Sequence, residues 1–154
     1  PRPDKRLDAM RTLSQAGIPV AVIVAPMIPV LNDQEMEAIL ERAAEAGARA
    51  AGTILLRLPF ELKDLFSEWL TADMAAHVLS QVRETRRGGL NDSEFKIRMK
   101  GTGPRAEMLA KRFSLACKRF GLTGRLRGPQ ASGFELDASQ FSPPPRIGDQ
   151  LRLL

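Results

Sequence analysis

Two stretches of this chain carry residues whose types and spacing could do chemistry. The first is Ala25-Pro26-Met27-Ile28, where an unbroken apolar run ends in two prolines, Pro26 and Pro29, and then Asn32 and Asp33. A run that is apolar without alternation reads as a strand of a parallel sheet covered on both faces, spanning residues 18–25. Prolines cannot continue a central strand because each removes a ladder donor. The chain therefore leaves the sheet near Ala25, at a carboxyl strand end, which in α/β folds is where ligands sit. The alternative is a tight hydrophobic connection with no ligand, and the residues do not decide between the two. The second stretch is residues 86–103, RRGGLNDSEFKIRMKGTG, with glycine pairs at both ends and five basic residues. Backbone amides and guanidinium groups of this kind can cradle an anion. The strip lacks a G-x-x-x-x-G-K-[ST] phosphate loop, and the G-x-G at Gly101 and Gly103 is weak by itself.

Other chemistries are excluded by composition. One Cys and one His cannot supply the three or four ligands of a self-contained cysteine-ligated metal centre, and a single Cys forms no internal disulfide. It fits a reducing, cytoplasmic compartment. Cys117 falls on an apolar helical stripe and reads as a small core residue. His77 has no acid or thiol partner at ligand spacing and reads as a surface or packing residue. Trp69 lies on the stripe Leu62, Leu65, Phe66, Trp69, Leu70 and reads as core.

Charge divides unevenly: residues 1–82 carry eight Lys/Arg against eleven Asp/Glu, and residues 83–154 carry fifteen against seven. The basic half suggests nucleic acid or another polyanion bound through residues 86–127, a solvated helix face, or a face packed on an acidic neighbour. No apolar run reaches the roughly 18 residues of a membrane span, so no membrane partner is expected. The chain begins at Pro1 and goes straight into a helix, which suggests a processed or excised piece.

The elements that position these stretches follow from periodicity. Residues 3–16 form a helix with Leu7, Met10 and Leu13 inward, ended by Gly17. After the first strand, Asn32 or Asp33 caps a helix over 34–46 with Met36, Ile39, Leu40 and Ala43 as its apolar stripe. Gly47 ends that helix, and TILLRL, residues 53–58, forms a second strand. Helix, strand, helix, strand is the order of a right-handed βαβ crossover. Only helices follow, over 62–70, 74–82 and 104–120, the last with Leu109, Phe113, Ala116, Cys117 and Phe120 inward. Residues 122–154, with three successive prolines, read as an extended tail.

The order RLDAM-x-x-L-x-x-AGIPV, VAPMIP-x-LND, an acidic helix and LLRLP resembles the later part of the barrel of radical S-adenosylmethionine proteins, in the group related to spore photoproduct lyases. The strip GGLNDSEF-x-x-RM-x-G-x-G and the helix with FSLACKRFGL resemble the C-terminal segment of one uncharacterised branch of that group. The resemblance spans about residues 6–122. Two departures stand out: the group favours Gly where this chain has Val30, and a longer, Pro-containing link where residues 71–76 are short.

The resemblance implies an α/β chain that is the C-terminal part of a partial (β/α) TIM-type barrel, residues 1–60. A helical extension, 61–121, and the tail, 122–154, complete it. It implies that the intact protein binds a [4Fe-4S] cluster through a C-x-x-x-C-x-x-C loop that this chain lacks, together with S-adenosylmethionine, whose reductive cleavage gives an adenosyl radical. Neither cofactor is expected in this segment alone. With the strand order, it places Ala25, Pro26, Met27, Ile28, Arg57 and Leu58 as cofactor-binding residues at the strand ends. The group's best-known chemistry is thymine-dimer repair, but a shared fold need not keep a shared substrate. It further implies that the missing N-terminal barrel portion is a partner. Without it one strand edge is unpaired, to be covered by a homodimer or by residues 151–154.

Overall fold

The computed structural model describes residues 2–95 and 97–123. Helix α1, Pro3–Gln15, leads into strand β1, Val20–Met27. A short 3-10 turn at Asp33–Glu35 opens helix α2, Met36–Glu45, and strand β2, Ala48–Leu55, follows. Helices α3, Leu62–Trp69, α4, Ala72–Glu84, and α5, Gly103–Arg119, complete the order. β1 and β2 pair in parallel, with Val22 opposite Ala51 and Val24 opposite Thr53. The crossover that connects them is α2. This is a mixed α/β chain.

The main core lies on one face of the sheet. Val24, Met27, Ala51 and Leu55 meet Met36, Leu40 and Ala43 of α2 and Leu109, Phe113, Ala116 and Cys117 of α5. A second cluster forms where the chain leaves the sheet: Leu56, Leu58 and Leu70 pack on Val78 and Val82 of α4. Both α2 and α5 bury the stripes that their 3.6-residue periodicity requires. After α5 the chain returns to the sheet. Leu122 is buried, the Thr123 amide donates to the Arg49 carbonyl, and the Ala51 amide donates to the Thr123 carbonyl. Residues 122 and 123, the described part of the expected extended tail, thus lie along β2. The terminal leucines, residues 151–154, lie outside the described residues.

Several expectations are corrected. β2 begins at Ala48, five residues before the expected 53–58. Gly47 adopts φ +93°, so the chain turns straight from helix into strand. β1 runs to Met27, past Pro26. The ladder is irregular between Val24 and Met27, which accommodates a residue with no N–H. The sheet is not covered on both faces: Ile23 is 58% exposed. α1 buries none of its residues, and Leu13 stays exposed; among the described residues its main neighbours are α2 and β1. Asn32 and Asp33 do not cap α2; their side chains fold back on the preceding loop. Trp69 is 67% exposed, so it is not a core residue.

Candidate functional site

The carboxyl ends of β1 and β2 are built by a loop that satisfies its own backbone. The Asn32 Oδ1 accepts from the Ile28 amide at 2.7 Å, and Asn32 Nδ2 donates to the Pro26 carbonyl at 3.0 Å. Asp33 Oδ1 accepts from the Val30 amide at 2.8 Å. A short Asx side chain that reaches back three to six residues fixes a tight turn in this way. Val30 sits at φ +74°, a left-handed conformation that glycine adopts freely and a β-branched residue does not. The backbone at this position therefore asks for glycine, and Val30 occupies it.

Charge then ties this loop to α5. Arg112 forms a fork with Glu37, Nε to Oε1 at 2.9 Å and Nη2 to Oε2 at 2.8 Å, and Nη2 also donates to the Asp33 carbonyl. The Asp33 carboxylate lies 3.6 Å from Arg112 and 3.8 Å from Arg105. The charge-assisted bonds from Arg112 hold the Glu37 carboxyl below its ordinary value, and those from Glu37 raise Arg112. The loop after β1 is thereby fastened to the helical extension.

The end of β2 is held by Arg86. Its side chain is buried and aimed at backbone: Nη2 donates to the Leu55 and Leu56 carbonyls at 2.8 and 2.9 Å, and Nη1 to the Arg98 carbonyl at 2.8 Å. Burial, and then the neighbouring positive charge of Arg57, lower its pKa. Arg86 opens the basic strip but faces inward, so it is a structural clamp and not an anion contact. Other basic groups of the same half are also engaged: Arg87 with Glu94, Arg112 with Glu37, and Arg98 over the Phe95 ring at 5.4 Å.

The sequence-predicted site residues divide by exposure. Ala25 and Pro26 are exposed at the strand end, and Arg57 and Ile28 are half-buried. Met27 belongs to the main core and Leu58 to the second, both buried; beneath the strand ends they act as support. Beside β1 runs a groove of about 710 Å³ between α1 and α2, lined by Leu7, Met10, Val22, Val24, Ile39 and Ala43 with Arg6, Asn32, Glu35 and Arg42 at its polar positions. Among the described residues, β1 pairs only with β2, so its outer edge is open.

No protein family, curated protein or solved structure matches the chain. Among the described residues no group of three or more His, Cys, Asp or Glu is placed to hold a metal ion. Cys117 is buried and desolvation pushes its thiol up to about 11, which leaves it protonated and inert at neutral pH. His77 is exposed. The groove at the strand ends is mainly apolar, with Glu35 as a carboxylate among its lining residues. No helix among the described residues is long and apolar enough to cross a membrane.

Residues that sequence reasoning did not assign to the site are Asn32, Asp33 and Arg112, which brace the loop, and Arg86, which clamps β2. The Asn-Asp pair is visible in sequence but reads there as a helix cap. Nothing in the sequence pairs Arg112 with Glu37, because the two lie 75 positions apart.

Proposed function

We propose that this chain is the C-terminal part of a radical S-adenosylmethionine enzyme, with its barrel completed by strands that lie outside it. The observation that carries the reading is the open outer edge of β1 beside an apolar groove, in a parallel β-α-β unit. A strand whose edge is unpaired among the described residues, with Ile23 58% exposed beside a groove, favours a further strand, because unpaired ladder groups and wet aliphatic surface both call for one. The ordered motifs VAPMIP-x-LND, LLRLP and GGLNDSEF-x-x-RM-x-G-x-G support the same reading.

The donor set defines the division of labour. This chain supplies no ligands for an iron–sulfur cluster: its one thiol is buried and raised. Ligation of the cluster therefore falls to residues outside it. The exposed surface of Ala25 and Pro26 suits the flank of an adenine ring, and Arg57 follows the end of the neighbouring strand. When bound, S-adenosylmethionine supplies the hydrogen-abstracting group in this class of enzyme. The residues of this chain bind and orient at the strand ends, and the packed Met27 and Leu58 beneath them exclude water. Among the described basic groups of residues 86–127, Arg86 and Arg112 are committed to internal partners, so nucleic-acid binding, the second reading, would rest on the remaining ones.

The test is made on the full-length protein that contains this segment, purified without oxygen. Its upstream sequence should contain C-x-x-x-C-x-x-C. With dithionite as electron donor it should convert S-adenosylmethionine to 5′-deoxyadenosine and methionine. A full-length protein with no such cysteines, or one that forms a cluster and releases no deoxyadenosine, overturns the proposal.

A further inference from the structure

Helix α3 packs Phe66 on the second core cluster and turns the rest of its apolar side to solvent. It buries none of its residues, yet Leu62, Leu65, Phe66 and Trp69 fall on one side at helical spacing. Trp69 is 67% exposed, Leu65 57% and Leu62 44%, and Phe60 at the helix entrance is 83% exposed. The Phe66 ring lies 5.6 Å from that of Trp69, which fixes the indole at the end of the stripe. Four large apolar side chains so placed form a patch, and contiguous apolar patches mark interaction sites. The rim has a sign. Glu61, Asp64 and Glu68 recur at the same spacing and are exposed, so that a row of three carboxylates runs along one border of the stripe.

We propose that α3 is a docking face for a basic amphipathic peptide segment of a partner protein, its leucine-like side chains on Leu62, Leu65 and Trp69 and its lysines or arginines on the carboxylate row. The charge complementarity selects this occupant. A second α3 would bring carboxylates against carboxylates, and the acidic row opposes an anionic membrane surface. Trp and its neighbours supply the apolar anchor that such grooves use.

Trp69 is the only tryptophan of the chain, so its fluorescence reports the face directly. The probes are a designed amphipathic peptide of leucine and lysine, its leucine and glutamate counterpart, and phosphatidylcholine vesicles, each titrated into the full chain. The free chain should emit at the long wavelength of a solvated indole. The lysine peptide should shift that emission to the blue saturably, and added salt should weaken the effect. Leu65→Glu should weaken peptide affinity about tenfold or more with unchanged circular dichroism, since Leu65 is exposed. Five outcomes overturn the proposal: a blue emission in the free chain, no response to the lysine peptide, equal response to both peptides, a response to vesicles, or a blue shift on raising protein concentration alone. The last would show a second copy on the stripe.

Discussion

Replacing Arg86 by Met removes the clamp at the end of β2 while keeping an unbranched apolar stem in its place. Arg86 is 2% exposed and its guanidinium serves three carbonyls, those of Leu55, Leu56 and Arg98. A buried acceptor left without its donor costs about 1–3 kcal/mol. The Arg98 carbonyl belongs to a half-buried residue that water can reach, which leaves the Leu55 and Leu56 carbonyls as the larger losses. Against this, methionine needs no desolvation of a charge, and the lowered pKa of Arg86 shows that burial strains the charged form. The balance is a net loss of about 2–4 kcal/mol, a large share of the roughly 5–15 kcal/mol that holds an ordinary domain. Urea unfolding followed by circular dichroism measures it. At a slope of about 1–3 kcal/mol per molar, the midpoint should fall by about 1–2 M with the slope unchanged. Arg86→Lys should fall between the two, because an ammonium on a shorter stem reaches fewer of the carbonyls. A loss below about 0.5 kcal/mol for Arg86→Met, the range of neutral surface changes, would refute the clamp.

Glu37 gives a pH signature. Its carboxyl is lowered by Arg112, so the fork adds stability above the ordinary carboxylate value and loses it as pH falls through the lowered folded value; thermal melts between about pH 5 and 2 should show a shallower acid decline in Glu37→Gln. Val30→Gly should change stability by less than about 1 kcal/mol, since relief of about 1–2 kcal/mol at a left-handed φ offsets lost contacts and added chain entropy. A loss above about 2 kcal/mol in chemical denaturation would show that the loop is not in this conformation. Gly101→Ala should cost about 2–4 kcal/mol, because its φ is +73° and a Cβ there would lie 2.7 Å from the Thr85 carbonyl oxygen and 2.8 Å from Leu55 Cδ1; an unchanged midpoint would contradict the packing. Cys117 should react with a thiol reagent at pH 8 only as fast as the chain unfolds, and immediate stoichiometric labelling of the native chain would place the thiol at the surface.

The parts legible in the sequence are those where one local pattern is enough. The apolar run gave β1, the stripe of Met36, Leu40 and Ala43 gave α2, and Leu109, Phe113, Ala116 and Cys117 gave the inner face of α5. Ala48–Ala51 was not legible as strand because alanine carries little strand preference; the segment is extended because it pairs with β1 and Thr123. Trp69 shows a different limit. Periodicity reports that a helix has an apolar side, not that anything covers it. At the strand ends, Ala25, Pro26 and Arg57 are placed by resemblance together with strand order, and β1 carries Ala25 and Pro26 inside its last three residues. Arg86 could not, because its partners are backbone carbonyls, which have no residue type to read.

The single bridge at Thr123 has a consequence for assembly. Residue 123 lies along the far side of β2, so at that point the sheet has a neighbour there, while β1 remains the side on which the described residues leave room for another strand. Two copies that meet through β1 would satisfy each other by a two-fold axis and present Thr123 outward on both sides. Such pairing is closed: it stops at two and does not propagate into a fibre. An open-edged piece of a parallel sheet is in general an aggregation hazard. Among the described residues, the return after α5 occupies the far side of β2 at Thr123, which is where growth from that side would meet an obstacle.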